Sequence, residues 1–299
     1  MSALDSTGAP VQSVQPRRRA GRDAWRMLRR SPTGLAGLVL VGAIVLLCLA
    51  SASGLLPHDP LAQEAAQRMS PPSAEHWFGT DRFGRDVFAR VAAGVANSAR
   101  IALVAVAFST IAGTIGGIVA GYLRGAPDAA VSGITNVLFA FPPLLLALTL
   151  ASVFARTWFT IAVAIAIVYT PIFIRVTRGP VLTLREIDFV RAARATGQSS
   201  AAIMARHILP NIASIVIVQV TLSLSWAVLT EASLSFLGLG TPPPAPSLGS
   251  MVYEARTLVA LAPWTMVFPG LVMVVLVVGL NLLGDGVRDA LDPQSRGKR

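Results

Sequence analysis

Six long stretches of this chain contain no Asp, Glu, Lys, Arg or His, and their length constrains the fold more than any other feature. They span residues 31–57, 101–123, 129–155, 157–174, 208–230 and 257–284. The shortest has 18 residues and the longest 28. A helix rises about 1.5 Å per residue, so about 20 apolar residues cross the hydrocarbon core of a bilayer. We therefore expect an all-α membrane protein with six transmembrane helices.

The composition agrees with a membrane protein, because 54% of the 299 residues are hydrophobic and only 13% are charged. Soluble proteins carry about 25% charged residues, and disordered chains are poor in apolar residues. A seventh charge-free stretch, residues 232–253, has four prolines and three glycines between Gly238 and Gly249. This composition predicts a loop or a re-entrant segment rather than a span. Within the second stretch, Gly113, Gly117 and Gly121 share one helix face and predict close packing against another helix.

The distribution of positive charge predicts the orientation of the chain. If both termini lie on one side, that side carries 18 Lys and Arg residues and the other side carries seven. Positive charge concentrates on the cytoplasmic side, so both termini are expected to be cytoplasmic. The net charge of +10 then needs no nucleic-acid partner. The alternative is a signal peptide cleaved after Ala50-Ser51-Ala52, but the basic and apolar regions before this point are longer than those of signal peptides.

The sequence lacks the residues that several membrane enzymes and pumps require. The only lysine is Lys298, so the chain has no Walker A loop. His58, His76 and His207 all lie outside the six stretches and form no zinc-binding pair. The six stretches contain no ionisable relay of the kind that proton-driven carriers use. We predict no catalytic residue, no metal site and no cofactor bound by this chain.

Residues 183–210 are predicted to form two helices joined at a glycine. Thr183 and Glu186 fit a capping box that would start the first helix. Gly197 suits the left-handed position that ends it. Ser199 or Ser200 would cap the second helix, which would stop before Pro210. On composition alone, two interpretations are equally supported: this segment docks to a partner, or it is a surface helical hairpin that contacts no partner.

This segment resembles the EAA loop of ABC-importer permeases, in which Glu-Ala-Ala is followed by three residues, Gly, nine residues and Ile-x-Leu-Pro. Five positions match that pattern: Ala192, Ala193, Gly197, Leu209 and Pro210. Two depart from it, because Arg191 replaces Glu and His207 replaces Ile. The resemblance implies that this loop, which we call the EAA-like loop (residues 183–210), docks into cytoplasmic ATPases and couples them to transport.

Other segments resemble dipeptide and oligopeptide permease subunits of the DppC/OppC type. They cover residues 76–87, 229–240, 246–251 and 281–293, with Leu248 in place of the usual Trp. The resemblance implies a type-1 ABC permease fold and import of dipeptides or short oligopeptides. It also implies a homologous second permease, two ATPases that bind ATP and Mg, an external substrate-binding protein, and a place in the cell membrane. Import of nickel or another small solute is the first alternative, and a stand-alone carrier or channel is the second.

The predicted organisation has four parts. They are a basic tail (1–30), a first span with an external segment (31–100), a core of five helices that contains the EAA-like segment (101–289, with 179–211), and a C-terminal tail (290–299).

Three further groups of residues are candidates for function, each beside a structural alternative. The external motif comprises Gly79, Thr80, Asp81, Gly84, Arg85 and Asp86, and would contact a partner or form an internal turn network. Glu231, expected near the outer face, would line the external mouth or serve a structural role. Asp285, Arg288 and Asp289 would form an inner gate, an ATPase contact or local ion pairs.

Overall fold

The computed structural model describes residues 25–29 and 31–291 of the chain. Most of the two predicted tails, 1–30 and 290–299, therefore lies outside the described residues. Within them, regular structure is helical apart from one isolated β-bridge between Thr80 and Asp86. The helices are α1 (Pro32–Ala52), α2 (Val87–Leu123), α3 (Gly125–Phe139), α4 (Pro143–Val153), α5 (Trp158–Leu184), α6 (Asp188–Ala195), α7 (Ser200–Phe236), α8 (Leu248–Ala255) and α9 (Trp264–Leu291).

Five single helices, α1, α2, α5, α7 and α9, are long and apolar enough to cross a membrane. The third predicted span is instead the pair α3 and α4, which are bent by 93° at the break between them. Pro142 has an extended ψ of 128°, because the residue before a proline avoids the helical region and Pro143 follows it. Pro171 and Pro180, by contrast, lie within α5 and leave it unbroken. The chain thus crosses the membrane six times only if the bent pair counts as one crossing.

The most extensive contact between helices joins α2 and α5 and uses the predicted glycine face. A Cβ atom at Gly113 would lie 2.8 Å from the carbonyl oxygen of Thr170, and one at Gly121 would lie 2.9 Å from the Val181 Cβ. A Cβ atom at Gly117 would overlap the Thr177 hydroxyl. Only glycine allows this backbone approach, so the predicted packing role is confirmed.

Helices α2 and α7 extend well beyond the charge-free stretches that predicted them. Helix α2 runs without a break across residue 100, where the sequence-based division placed a boundary. The helix continues because its first turns bury Arg90 in an ion-pair network instead of exposing the charge to lipid. The predicted loop over 232–253 is confirmed as a non-spanning region, since α7 ends at Phe236 and α8 has only eight residues.

The spanning helices have two ends, which we name from the loops found there. The loop end carries the EAA-like loop, and the segment end carries residues 58–86, the segment between α1 and α2. A large apolar core joins α2, α5, α7 and α9, and a smaller one lies at the loop end. The candidate functional residues therefore lie at opposite ends of the same set of helices.

Candidate functional site

The EAA-like loop is fixed to the spanning helices by the smaller apolar core. Val190 and Ala193 of α6 are 0% and 7% exposed, and they pack with Ile203 and Ile208 at the start of α7. Further members of this core are Ile118 and Tyr122 of α2, Val181 of α5 and Ile212 of α7. A displacement of α6 must therefore move the ends of these helices, since close-packed side chains transmit strain.

The opposite face of the loop is exposed and carries apolar side chains among charged and polar ones. Ile187, Phe189 and Leu209 are 41–43% exposed, and Ala192 is exposed beside them. The Arg191 side chain, at the position where the EAA pattern has Glu, is 62% exposed. Arg191, Ala192 and Leu209 of the predicted coupling loop therefore lie on an accessible surface, whereas Ala193 lies on the buried side.

The turn between α6 and α7 has the predicted backbone. Gly197 has a φ of +79°, and a Cβ there would meet no atom within 4 Å. Glycine is therefore needed for its conformation and not for space. Ser199 caps α7, because its hydroxyl accepts a hydrogen bond from the Ala202 amide at 3.3 Å. The glycine turn and the serine cap are both confirmed.

The predicted capping box at Thr183 and Glu186 is wrong. Thr183 lies in the last turn of α5, and the first loop helix begins only at Asp188, after Ile187, which offers no side-chain cap. Glu186 instead accepts hydrogen bonds from Arg185 at 3.0 Å and from Arg191 at 3.1 Å. The Arg191 hydrogen bond lowers the pKa of the exposed Glu186 carboxyl. Glu186 thus balances the charge that the unusual Arg191 adds.

Pro210 does not end the second helix, contrary to the sequence prediction. Residues Met204–Ile208 form a π-helical turn, and α7 continues from it with Pro210 in the first turn of regular α-helix. The π turn shifts the helical hydrogen bonds, with the Leu209 amide donating to the Met204 carbonyl, and so accommodates a following residue that has no amide donor. The Asn211 side-chain amide donates to the His207 carbonyl at 2.6 Å, and the His207 ring lies 3.0 Å from the Gln198 amide oxygen. His207 therefore braces the glycine turn.

At the segment end, the six predicted residues of the external motif are all buried. Asp81 accepts hydrogen bonds from the backbone amides of Phe83 and Arg85 and from the Arg85 side chain at 2.6 Å. Arg85 also donates to Glu254 of α8 at 3.0 Å. These contacts are those of the turn-network alternative, and a contact of this motif with a partner stays a prediction.

Two members of this network, Arg90 and Glu254, were not among the sequence-predicted residues. Arg90 is 2% exposed and lies 3.5 Å from both Asp81 and Glu254. Two arginines and two carboxylates therefore balance each other where α2, α8 and the 58–86 segment meet. The available signal was weak: Arg90 is one of two arginines, with Arg100, in an otherwise apolar helix, and Glu254 follows a charge-free stretch.

Two glycines with positive φ shape the same motif. Gly79 has a φ of +71°, and its Cβ would lie 2.6 Å from the Ser70 carbonyl oxygen. Gly84 has a φ of +75°, and its Cβ would overlap the Glu64 carbonyl. The Trp264 indole donates to the Thr80 carbonyl at 3.0 Å, which ties the motif to α9. Burial raises the pKa of Asp86, whose carboxylate lies 3.9 Å from the His76 ring.

Glu231 is fully buried, so the prediction that it lines an external mouth is replaced by a structural role. Its two carboxylate oxygens accept hydrogen bonds from the hydroxyls of Ser98 and Ser235, each at 2.7 Å. Ser235 in turn lies 3.2 Å from Ser247, and the Leu248 amide donates to Ser98. One carboxylate therefore joins α2, α7 and the start of α8.

Asp285, Arg288 and Asp289 lie on exposed positions in the last two turns of α9, at the loop end. The described residues show no ion pair between Asp285 and Arg288. Their role as a gate stays a prediction.

Comparisons with known proteins agree with these features. Residues 113–297 match the model of a family described as "Binding-protein-dependent transport system inner membrane component". Residues 20–72 match the "N-terminal TM domain of oligopeptide transport permease C". Both the helical core with the EAA-like loop and the N-terminal span are thus covered.

Curated relatives match almost the whole chain. The dipeptide transport system permease protein DppC of Alkalihalophilus pseudofirmus is 40% identical over 92% of this chain and 90% of its own. The probable D,D-dipeptide transport system permease protein DdpC of Escherichia coli is 37% identical over 100% of both chains. The glutathione transport system permease protein GsiD of Pectobacterium atrosepticum is 37% identical over 95% of both.

Among solved structures, a chain of the MetNI methionine ABC transporter in an inward-facing conformation has a similar fold. The TM-score is 0.55 at 20% identity, over 67% of this chain and 94% of the other. This likeness concerns the arrangement of helices alone.

Proposed function

This chain belongs to the family of binding-protein-dependent transport system inner membrane components, and we propose that it is the peptide-conducting subunit of an ATP-driven importer. It is a multi-pass inner membrane protein with the type-1 ABC permease fold, and it is a transport component rather than an enzyme. The relatives described above are named for dipeptides, D,D-dipeptides and glutathione. All three are short peptides or peptide-like molecules, so we assign the same class of cargo to this chain.

The geometry of the EAA-like loop carries this proposal. Its exposed face offers Ile187, Phe189 and Leu209 as an apolar docking surface, with the Arg191 side chain beside them. Its buried face, through Val190 and Ala193, packs against the ends of α2, α5 and α7. When ATP closes the ATPases, the docked loop moves, and the tightly packed helices move with it. That coupling gives the two alternating states that active import requires.

The complete importer contains further subunits. We propose one homologous permease, which supplies the other half of the passage, two ATPases at the loop end, and a substrate-binding protein at the segment end. ATP and Mg bind to the ATPases, because this chain has no Walker A lysine. The loop end is the cytoplasmic side, and both termini lie there, in agreement with the excess of Lys and Arg.

Uptake by the assembled complex tests this function. The chain is reconstituted with its partner permease, ATPases and binding protein in vesicles, and labelled dipeptide accumulation is measured with ATP and with a non-hydrolysable analogue. We expect the labelled dipeptide to accumulate with ATP and not with the non-hydrolysable analogue. The control is a complex with Gly197→Val, in which the loop turn is distorted. ATP-independent dipeptide flux through the chain by itself would contradict the proposal.

A further inference from the structure

A cavity of about 380 Å³ opens at the loop end between α5, α7 and α9. Its apolar walls include Val176 of α5 and Val218 and Leu222 of α7. Its polar lining comes from Ser214 and Gln219 of α7 and from Arg288 of α9. The volume lies within the range of about 300–1,000 Å³ that is typical of small-molecule sites.

The polar lining indicates that water, and not lipid, fills this cavity. Gln219 follows Leu209 by ten residues, which places it about 15 Å along the helix from the loop end. An amide at that depth is costly in hydrocarbon, because its donors and acceptor need partners. One Gln219 donor bonds Ser223 at 3.1 Å, whereas the amide oxygen has no hydrogen-bond partner among the described residues. A hydrated ligand or water can supply that partner.

Arg288 is the one ionisable residue that lines the mouth of the cavity within the described part of the chain. It is exposed and forms no ion pair within the described part of the chain, although Asp285 lies one turn before it and Asp289 beside it in sequence. A guanidinium binds carboxylates through two parallel hydrogen bonds. The cavity therefore combines a carboxylate-binding group at its mouth with neutral polar groups further inside.

We propose that this cavity holds the cargo as it leaves the membrane, with Arg288 binding the C-terminal carboxylate of a short peptide. Gln219 and Ser214 bond the polar backbone of the same peptide, and the apolar wall contacts its side chains. The inference rests on the proposed function, because it assumes a peptide cargo and a cytoplasmic loop end. An anionic lipid and residues 292–299 of this chain are the competing occupants.

Cysteine labelling of the assembled importer tests the inference. The natural Cys48 is replaced (Cys48→Ala), and Ser214→Cys is introduced in inverted membrane vesicles, so that the loop end faces the medium. A charged, membrane-impermeant thiol reagent is expected to label this cysteine. Added Ala-Ala with a free carboxylate is expected to slow labelling, and the C-terminal amide of Ala-Ala is expected to protect about tenfold less well. Arg288→Gln is expected to abolish the difference between the two peptides.

A cysteine on the lipid-facing side of α9 is the matched control. Val274 is 58% exposed outside the cavity, so Val274→Cys is expected to resist the charged reagent. The inference is overturned if Ser214→Cys is not labelled, if an anionic phospholipid protects it and peptide does not, or if the two peptides protect equally. It is also overturned if Arg288→Gln leaves their difference intact. A failure of the proposed function would be seen in a different measurement: the unmodified complex would show no ATP-driven peptide uptake.

Discussion

At the scale of single residues, Gly197 is needed for its left-handed backbone conformation, and not because a larger side chain would clash. Its left-handed backbone costs other residues about 1–2 kcal/mol. We therefore expect Gly197→Ala to destabilise the loop by about that amount and to reduce co-purification of the ATPases and peptide uptake. Gly179→Ala is the matched control, because Gly179 lies within helix α5, has no positive φ and has no neighbour within 4 Å of a Cβ. Equal effects of the two substitutions would contradict the proposed role of the turn.

Glu231 differs from Gly197, because its role depends on side-chain contacts: the hydroxyls of Ser98 and Ser235 donate hydrogen bonds to its carboxylate. Glu231→Ala leaves the Ser98 and Ser235 hydroxyls without their acceptor, at a cost of about 1–3 kcal/mol for each buried group. We expect a clear fall in the thermal unfolding midpoint in detergent. Glu231→Gln keeps one acceptor oxygen and should lose less. Ser233→Ala is the control, because the Ser233 hydroxyl bonds only the Leu229 carbonyl of its own helix. A Glu231→Ala protein as stable as this control would exclude the structural role.

At the scale of helices, the contact between α2 and α5 gives a matched pair of glycines. A Cβ at Gly113 would come within 2.8 Å of a backbone oxygen, whereas one at Gly116 would meet the side chains of Ile174 and Val131 at 3.4 Å or more. We expect Gly113→Ala to lower the free energy of unfolding by about 1–3 kcal/mol, as overpacking does, and Gly116→Ala to have little effect. Thermal unfolding of the purified protein measures both. Similar losses for the two variants would show that the close approach of the helices is not the cause.

The elements that the sequence predicted best are those that depend on one strong local signal. Long charge-free stretches predicted the spans, the spacing of glycines predicted the α2–α5 contact, and Gly197 predicted the end of α6. The errors arose where a feature outside the recognised pattern changes the local outcome. Arg90 is accepted within α2 because Asp81 and Glu254 neutralise it, and Pro210 is accepted within α7 because a π turn precedes it. Neither compensation is visible in the local sequence.

At the scale of the whole molecule, the orientation is a prediction that fusion proteins can test. The positive-charge excess places the loop end and the C terminus in the cytoplasm. A green fluorescent protein fused to the C terminus should therefore fluoresce, and alkaline phosphatase at the same position should be inactive. Alkaline phosphatase fused after Glu75, in the exposed part of the 58–86 segment, should be active. The reverse pattern of activities would show that the loop end and the C terminus lie on the external side.

The candidate site was predictable at the loop end and not at the segment end, for a physical reason. The EAA-like loop is contiguous in sequence, so its pattern is readable from residues 183–210 alone. The segment-end network joins Arg85 to Glu254, which are 169 residues apart, and Ser98 to Glu231, which are 133 apart. Such pairs follow from helix packing, and one sequence without its fold does not indicate which charges meet.

Helix α7 connects these two ends as one rod of 37 residues, about 55 Å long. Near one end, Ile203 anchors the helix in the smaller apolar core against α6. Near the other end, about 40 Å away along the axis, Glu231 anchors it to α2 through Ser98. A tilt of about 5° around either point displaces the other by about 3–4 Å. In the proposed function, a small displacement of α6 by an ATPase would therefore move α8 at the opposite end of the spanning helices, without any change of secondary structure.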